Sequence, residues 1–150
     1  MQERFETFTV LINRISRDIR KIKNQEMADY HLRSVHVSCL YYIYSLGSVT
    51  SAELCEHCEE DKATISRAVD YLETNGFLLR DTGAKRYKSP LLLTEKGRDT
   101  GKRIAEKIDG VLETISHALT EEERIEFYRS LSTISRSLEA IVQNSEEKEM

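Results

Sequence analysis

Cysteine and histidine residues in one short stretch have a spacing that could support metal or thiol chemistry. Cys55 and Cys58 form a Cys-x-x-Cys pair around His57, a spacing found at zinc and redox sites. Zinc needs four ligands as a rule, so another cysteine or histidine would have to approach this pair. Free cysteine is also common as a small buried hydrophobic residue. The structural role is therefore the favoured interpretation of both cysteines.

A second candidate group is His31, His36 and Cys39, in which His36 and Cys39 lie one helical turn apart. No acidic partner stands beside them, so a structural role is again favoured. The sequence predicts no metal site and no cofactor. Sensing of a metal or of thiol oxidation, through Cys55 and Cys58 or through His31, His36 and Cys39, remains an alternative.

Catalytic patterns are not evident in the chain. There is no glycine-rich phosphate loop, nucleophile elbow or paired-carboxylate arrangement. The acidic run at residues 121–123 is typical of a helix start, where negative charge is favourable. We therefore predict that the protein is not an enzyme.

Residues 61–77 have the features of a helix that presents a polar face to a partner. Asp61 is a good N-cap residue, and Gly76 can adopt the left-handed conformation that ends a helix. One face of the predicted helix is apolar and the opposite face carries small and basic residues. The apolar face consists of Ile65, Ala68, Val69 and Leu72, and the opposite face of Lys62, Ala63, Ser66, Arg67 and Asp70. A small-residue face with cations near its N-terminus suits a helix in the DNA major groove.

The neighbouring elements predict a winged helix-turn-helix. Thr50 and Glu53 form a capping box that opens a short helix ending near Cys58. After Gly76, residues 77–80 and 87–93 are predicted to form two strands of a basic hairpin, the wing, in which Pro90 limits the second strand to an edge. The short helix would brace the second helix, whose N-terminal half would meet base edges while the wing reaches the DNA backbone.

Helices with apolar seams are predicted at the two ends of the chain. A helix over residues 4–28 and one that begins at the Thr120–Glu123 capping box both repeat apolar residues in steps of three and four. Matching seams on either side of a basic middle favour a dimerisation module shared by two chains. The predicted dimerisation residues are Phe5, Phe8, Ile12, Ile15, Phe127, Leu131, Ile134, Leu138 and Ile141.

Composition narrows the class of protein. The chain has 150 residues with a formal charge of −4, but residues 62–98 contain eight Lys or Arg and four acids, so this stretch is +4 and the remainder is −8. Such a basic island is typical of a nucleic-acid contact. The charged start, the lack of a long apolar run and the three cysteines predict a cytoplasmic protein with reduced thiols, without a signal peptide or membrane span.

The ordered motifs resemble the MarR family of bacterial transcriptional regulators. The matching pieces are Ser51-x-Glu53-Leu54, Thr64-x-Ser66-Arg67, Leu72-Glu73-x-x-Gly76 and the Leu-Thr-Glu-Lys-Gly sequence at residues 93–97. The resemblance implies a mainly α fold with a small β-hairpin wing, and a single domain over residues 1–150. Its parts would be dimerisation helices at 4–30 and 95–143, a winged lobe at 34–94 and a flexible tail at 144–150.

The resemblance also implies a homodimeric, sequence-specific regulator, in our interpretation a repressor, bound to a near-palindromic double-stranded operator. A small-molecule effector would bind near the junction of the dimer module and the lobe, at residues that stay unassigned. Lys62, Ala63, Thr64, Ser66 and Arg67 are predicted to meet the major groove. Thr50, Ser51 and Arg80 are predicted to hold phosphates, and Lys85, Arg86 and Lys88 to serve the wing.

One departure from the family pattern lies in the wing. Family wings carry Asp-x-Arg, whereas the equivalent positions here are Lys85 and Tyr87. Either Arg86, between them, takes the arginine role with a shifted register, or this wing makes only phosphate contacts. We favour Arg86. The net negative charge keeps a second interpretation open, namely a winged-helix module that binds protein and not DNA.

Overall fold

The computed structural model describes residues 5–79 and 86–149, apart from the side chains of Phe5, Glu26, Arg86 and Glu149. The predicted positions of Arg80 and Lys85 lie outside the described residues, as do the predicted contacts of the Phe5 and Arg86 side chains. Chain length predicts one domain, and the structure divides the chain into two compact units, Met1–Glu106 and Lys107–Met150.

Six α-helices account for most of the described chain. They are α1 (Phe5–Glu26), α2 (Ser34–Leu46), α3 (Ser51–Cys58), α4 (Lys62–Thr74), α5 (Glu95–His117) and α6 (Glu121–Glu149). Short 3-10 turns cover Ala28–Tyr30 and Arg86–Lys88. Every helix predicted from spacing and capping residues is present. The prediction of a flexible tail from residue 144 onward is corrected, because residues 144–149 belong to α6.

The core of the first unit is formed by α2, α3 and α4. Leu40, Leu54, Ile65 and Leu72 have no exposed surface, as expected for apolar residues that recur at helical spacing. On α2 the expectation was wrong in one place, because Val37 is buried whereas Val35 is half-buried. Apolar residues occupy most faces of this helix, so periodicity alone does not select the inward face.

The predicted hairpin is not confirmed in the described residues. These contain two isolated antiparallel bridges, Thr50 with Pro90 and Leu78 with Leu93, and no regular strand. The return strand expected from Tyr87 begins as a 3-10 turn. The segment divides its pairing, since the Leu91 amide donates to the Val49 carbonyl whereas Leu92 accepts from the Leu79 amide. Two different partners prevent one continuous ladder.

The seams of the end helices are exposed in the single chain. On α1, Ile15 is 50% exposed, and on α6 Ile134, Leu138 and Ile141 are 37%, 44% and 62% exposed. In contrast, the C-terminal half of α1 is attached to α2, because Lys23 donates a 3.0 Å hydrogen bond to the Ser38 hydroxyl. None of the helices in the described ranges combines the length and apolar character of a membrane span.

Candidate nucleic-acid interface

The bracing helix α3 is fixed at its start by a complete capping box. The Thr50 hydroxyl accepts from the Glu53 amide at 3.2 Å, and a Glu53 carboxylate oxygen accepts from the Thr50 amide at 2.8 Å. These bonds satisfy two donors that a helix start otherwise leaves unpaired. Thr50 is half-buried, but Ser51 is only 6% exposed. This burial argues against a phosphate contact through the Ser51 hydroxyl.

The start of α4 is held by Asp61, as the sequence predicts. An Asp61 carboxylate oxygen accepts from the Thr64 amide at 2.7 Å. The pKa of Asp61 is lowered, chiefly by hydrogen bonds from the Thr64 amide and hydroxyl, with a smaller effect of the positive charge of Arg67. The carboxylate is stabilised because these donors favour its charged form. Capping leaves the first turn of α4 in a defined position at the surface.

The outward face of α4 brings the predicted base-contacting residues together. Lys62, Ala63, Ser66 and Arg67 are exposed, and Thr64 is half-buried. An Arg67 guanidinium nitrogen donates to the Thr64 hydroxyl at 3.3 Å. Five positions in the first two turns thus form one surface with a narrow profile and two cations. Such a surface fits the width of a major groove.

Tyr87, at the start of the predicted return strand, contacts this surface, and the sequence-based prediction missed this contact. The Lys62 ammonium lies 4.5 Å from the centre of the Tyr87 ring, within the range of a cation–π interaction. The Tyr87 hydroxyl and the Cys55 thiol are 3.5 Å apart, and this hydrogen bond is the main cause of the raised pKa of Tyr87. Position 87 is one of the two places where the sequence departs from the Asp-x-Arg pattern of the family, and this departure could have indicated the contact. In the structure, the Tyr87 side chain at this position contacts Lys62.

The Leu-Thr-Glu-Lys-Gly motif joins the end of α4 to the start of α5. The Thr94 hydroxyl donates to the Gly76 carbonyl at 2.6 Å and accepts from the Gly97 amide at 3.0 Å. Lys96 donates to the Asn75 carbonyl at 2.9 Å. A Cβ on Gly97 would lie 1.9 Å from the carbonyl oxygen of Phe77. The motif therefore sets the position of the whole C-terminal end of α4.

The wing cations are described only in part. Lys88 is exposed in its 3-10 turn, which is compatible with a phosphate contact. Since Arg80, Lys85 and the Arg86 side chain lie outside the described residues, the choice of Arg86 for the arginine role stays a prediction.

The histidines and cysteines are not gathered as the metal alternative requires. In the described residues, no three His, Cys, Asp or Glu side chains are placed to hold one ion. The Nδ1 atom of His36 accepts from the Arg33 amide at 3.0 Å, and its ring stacks on Tyr71 of α4 at 4.3 Å. Burial, and to a lesser extent the charge of Arg33, lowers the pKa of His36. His36 is thus a neutral helix-capping residue beside α4.

A cavity of about 1180 Å³ lies against the same side of α4. Its wall includes Arg20 of α1, His36 of α2, and Thr64, Arg67 and Tyr71 of α4. The Tyr71 hydroxyl donates to the His31 carbonyl at 2.7 Å across this region. Two of the predicted base-contacting residues therefore also line this cavity, which is open to solvent.

Comparisons with known proteins agree with this arrangement. A sequence model of the MarR family matches residues 32–86. The chain is 28% identical over 85 residues to YwoH of Bacillus subtilis (strain 168), an uncharacterised HTH-type transcriptional regulator. That match covers 57% of this chain and 62% of YwoH, so it spans about three fifths of the length of the curated relative.

Solved structures share the fold. NMB1585, a MarR family regulator from Neisseria meningitidis, has a TM-score of 0.81 at 18% identity, over 96% of this chain and 99% of that one. The S. aureus MepR–DNA complex has a TM-score of 0.77 at 19% identity, over 87% of this chain and 97% of that one. These similarities indicate a common fold and confirm the mainly helical class that the sequence predicts.

Proposed function

We propose that this chain, whose residues 32–86 match the MarR family model, is a cytoplasmic, homodimeric, sequence-specific DNA-binding regulator of transcription that acts as a repressor. Because the family consists of transcriptional regulators, the prediction that the chain is not an enzyme is confirmed. The observation that carries the proposal is the exposed face of α4, where Lys62 and Arg67 flank small residues on a helix capped by Asp61.

The major-groove contact is assigned to the first two turns of α4. Ala63 and Ser66 allow the backbone of the helix to approach the base edges closely, since neither carries a long side chain. Arg67 has the length and the paired donors to bind guanine in the bidentate manner. MepR, which shares the fold, has been solved with DNA, and this supports the same use of the fold here.

The homodimer is supported by the exposed apolar seams. Five isoleucine or leucine positions on α1 and four on α6 remain 37% or more exposed in the single chain. Monomeric soluble proteins rarely leave such continuous apolar stripes in contact with water. A second copy that covers these seams would produce two lobes, which fit half-sites about 34–36 Å apart on a near-palindromic duplex.

Release by a small molecule is supported by the cavity beside α4. Because Thr64 and Arg67 belong to its wall, a ligand in this space would compete for the side chains that the DNA contact needs. The basic lining by Arg20 and Arg67 favours an anionic aromatic or aliphatic compound.

The test is a selection of bound genomic fragments, followed by affinity measurements on the recovered duplex as a function of salt. Counterion release makes the logarithm of the association constant fall linearly with the logarithm of salt, with a slope of about −0.9 per phosphate contacted. We expect recovery of near-palindromic fragments and a steep negative slope. Failure to retain any fragment at low salt would contradict DNA binding, and would favour a module that binds protein.

A further inference from the structure

Tyr87 is attached to the bracing helix α3 by a relay of hydrogen bonds. The Cys55 thiol donates to the Ser51 carbonyl at 3.3 Å, and the Tyr87 hydroxyl lies 3.5 Å from the same sulfur. A thiol has a single proton to donate, and the Ser51 carbonyl can only accept. The Tyr87 hydroxyl is therefore the donor to the Cys55 sulfur, and this bond fixes the outer end of the tyrosine ring against α3.

The backbone that follows Tyr87 is held at the start of the same helix. Thr50, the N-cap residue of α3, forms an antiparallel bridge with Pro90, and the Leu91 amide donates to the Val49 carbonyl at 2.8 Å. Tyr87 is half-buried in the 3-10 turn that precedes this bridge. The position of its ring is thus set by contacts with α3 that do not involve Lys62.

Lys62 occupies an unfavourable place for a cation. It is the first residue of α4, after the N-cap Asp61, and the free amides of a helix start carry partial positive charge. The Asp61 carboxylate accepts from the Thr64 amide, and the Lys62 side chain is exposed. The Lys62 ammonium lies over the Tyr87 ring, 4.5 Å from its centre, where the negative face of the ring attracts it.

We propose that Tyr87 is a positioning residue that holds the Lys62 ammonium at the DNA-facing start of α4. A flexible lysine that binds DNA loses rotamer freedom, and this loss weakens binding. The ring restricts the side chain in the free protein, so less freedom is lost when the duplex binds. The proposal rests on the proposed function, since DNA is the ligand that Lys62 would meet.

The ring leaves the ammonium able to bind. A lysine ammonium has three N–H donors, and the Tyr87 ring covers it from one side only. The remaining donors can reach a phosphate or base oxygen while the cation–π interaction persists. The interaction therefore orders Lys62 without competing with the duplex.

The contact itself is tested by NMR on the full-length protein without DNA. An aromatic ring shifts the signals of groups above its face upfield. We expect the Cε methylene protons of Lys62 to resonate upfield of those of Lys102, an exposed lysine of α5. Tyr87→Leu should remove this difference, whereas Tyr87→Phe, which keeps the ring, should retain it. Lys62 signals that Tyr87→Leu leaves unchanged would overturn the proposal.

A double-mutant cycle on the selected operator tests the positioning role. Tyr87→Leu should raise Kd about three- to tenfold, which corresponds to the cost of ordering one lysine side chain. In a Lys62→Ala background the same substitution should change Kd by less than about twofold, because no ammonium is left to hold. Tyr87→Phe should raise Kd less than Tyr87→Leu does, since the ring remains.

Lys88 provides the matched control, because it is exposed and follows Tyr87 in the same 3-10 turn. A tyrosine that served only to keep this segment folded would couple with Lys88→Ala as strongly as with Lys62→Ala. We expect Tyr87→Leu to keep its full effect on Kd in the Lys88→Ala background. If the leucine variant fails to fold, the NMR shifts of the wild-type protein and of Tyr87→Phe still decide whether the ring holds Lys62.

Additive effects of Tyr87→Leu and Lys62→Ala, or an equal coupling of Tyr87→Leu to Lys88→Ala, would overturn the proposal. Tighter DNA binding by Tyr87→Leu would also overturn it, because the ring would then withdraw Lys62 from the duplex. A wild-type protein that binds no DNA would refute the proposed function. In that case the NMR shift would still show whether Tyr87 fixes the Lys62 side chain.

Discussion

The helices of the lobe and the helices at the chain ends differ in how completely a single chain buries their apolar residues. In α2, α3 and α4 the central residues Leu40, Leu54 and Leu72 are fully buried, and the starts of α3 and α4 are capped by side chains. On α1 and α6, residues of the same type such as Ile15 and Ile141 are half or more exposed. The apolar stripe of α4 and the seams of α1 and α6 have the same helical spacing. Regular spacing therefore predicts a helix but not which molecule covers its apolar face.

This difference has an energetic meaning. Burying a leucine or isoleucine side chain stabilises a protein by about 1.5–3 kcal/mol relative to exposure. The lobe obtains this stabilisation within one chain, whereas the terminal seams, which are exposed in the single chain, would obtain it from the proposed partner chain. Stability of the lobe should thus be independent of protein concentration, and stability of the terminal helices should depend on it.

The largest expected effect is a difference in stability between alanine substitutions at two helical glycines of α5. Gly97→Ala would place a Cβ 1.9 Å from the backbone oxygen of Phe77, whereas Gly110→Ala meets nothing within 4 Å. We expect Gly97→Ala to lower the free energy of unfolding by more than about 3 kcal/mol. Gly110→Ala should leave it unchanged or raise it by up to about 1 kcal/mol, because alanine is the better helix former. Urea unfolding of both variants checks this, and equal effects would contradict the close approach at Gly97.

The next prediction concerns the terminal seams. Leu138 is 44% exposed in the single chain, and Leu138→Glu would put a charge into the proposed dimer interface. We expect the dimer dissociation constant to rise at least about 100-fold, or about 2.7 kcal/mol, with the helical circular dichroism of the lobe retained. Sedimentation equilibrium measures it, with Glu139→Gln as the control on the same helix. A dimer that Leu138→Glu leaves unchanged would place the interface elsewhere.

DNA affinity should distinguish two exposed cations of the first unit. Arg67→Ala should cost about 1–3 kcal/mol on the selected operator and relax specificity at one position of each half-site. Lys88→Ala should weaken binding alike on all sequences and reduce the magnitude of the salt slope by about 1. Fluorescence anisotropy titrations on operator and random duplexes provide the comparison. Equal losses on both duplexes for Arg67→Ala would refute its contact with a base.

The smallest effect is a pH dependence of the lobe. The pKa of His36 is lowered by folding, so the unfolded chain binds its proton more tightly. The stabilisation that depends on neutral His36 is fully present above the unfolded pKa of about 6.5. Below that pH the free energy of unfolding falls by at most about 1.4 kcal/mol per pH unit. His36→Gln should flatten unfolding free energies between pH 6.5 and 5, and His117→Gln, at an exposed position, should not. If the free energy of unfolding of the wild-type protein did not fall between pH 6.5 and 5, the buried neutral state of His36 would be ruled out.

Much of the fold follows from local signals in the sequence. The caps at Thr50, Asp61 and Thr120 and the stop at Gly76 act on neighbouring backbone groups, so they can be recognised without tertiary information. In the same way, the outward face of α4 follows from its apolar stripe. These features account for the predicted bracing helix and the candidate interface.

Features that depend on packing between distant segments were missed. Tyr87 contacts Lys62 and Cys55, and His36 stacks on Tyr71 of another helix. Neither contact has a characteristic sequence spacing. The segment after Tyr87 has the composition of a strand, but its divided pairing with Val49 and Leu79 prevents a regular ladder. Strand propensity describes a fit to neighbours that only the folded chain supplies.

The central claim is that two chains, joined through the seams of their terminal helices, bind one duplex with two α4 surfaces. The most direct measurement is native mass spectrometry of the protein with its selected operator duplex. We predict a dimer in the absence of DNA and two chains on one duplex in its presence. A monomer that binds as one chain per duplex, or a dimer that leaves the duplex free, would contradict the account.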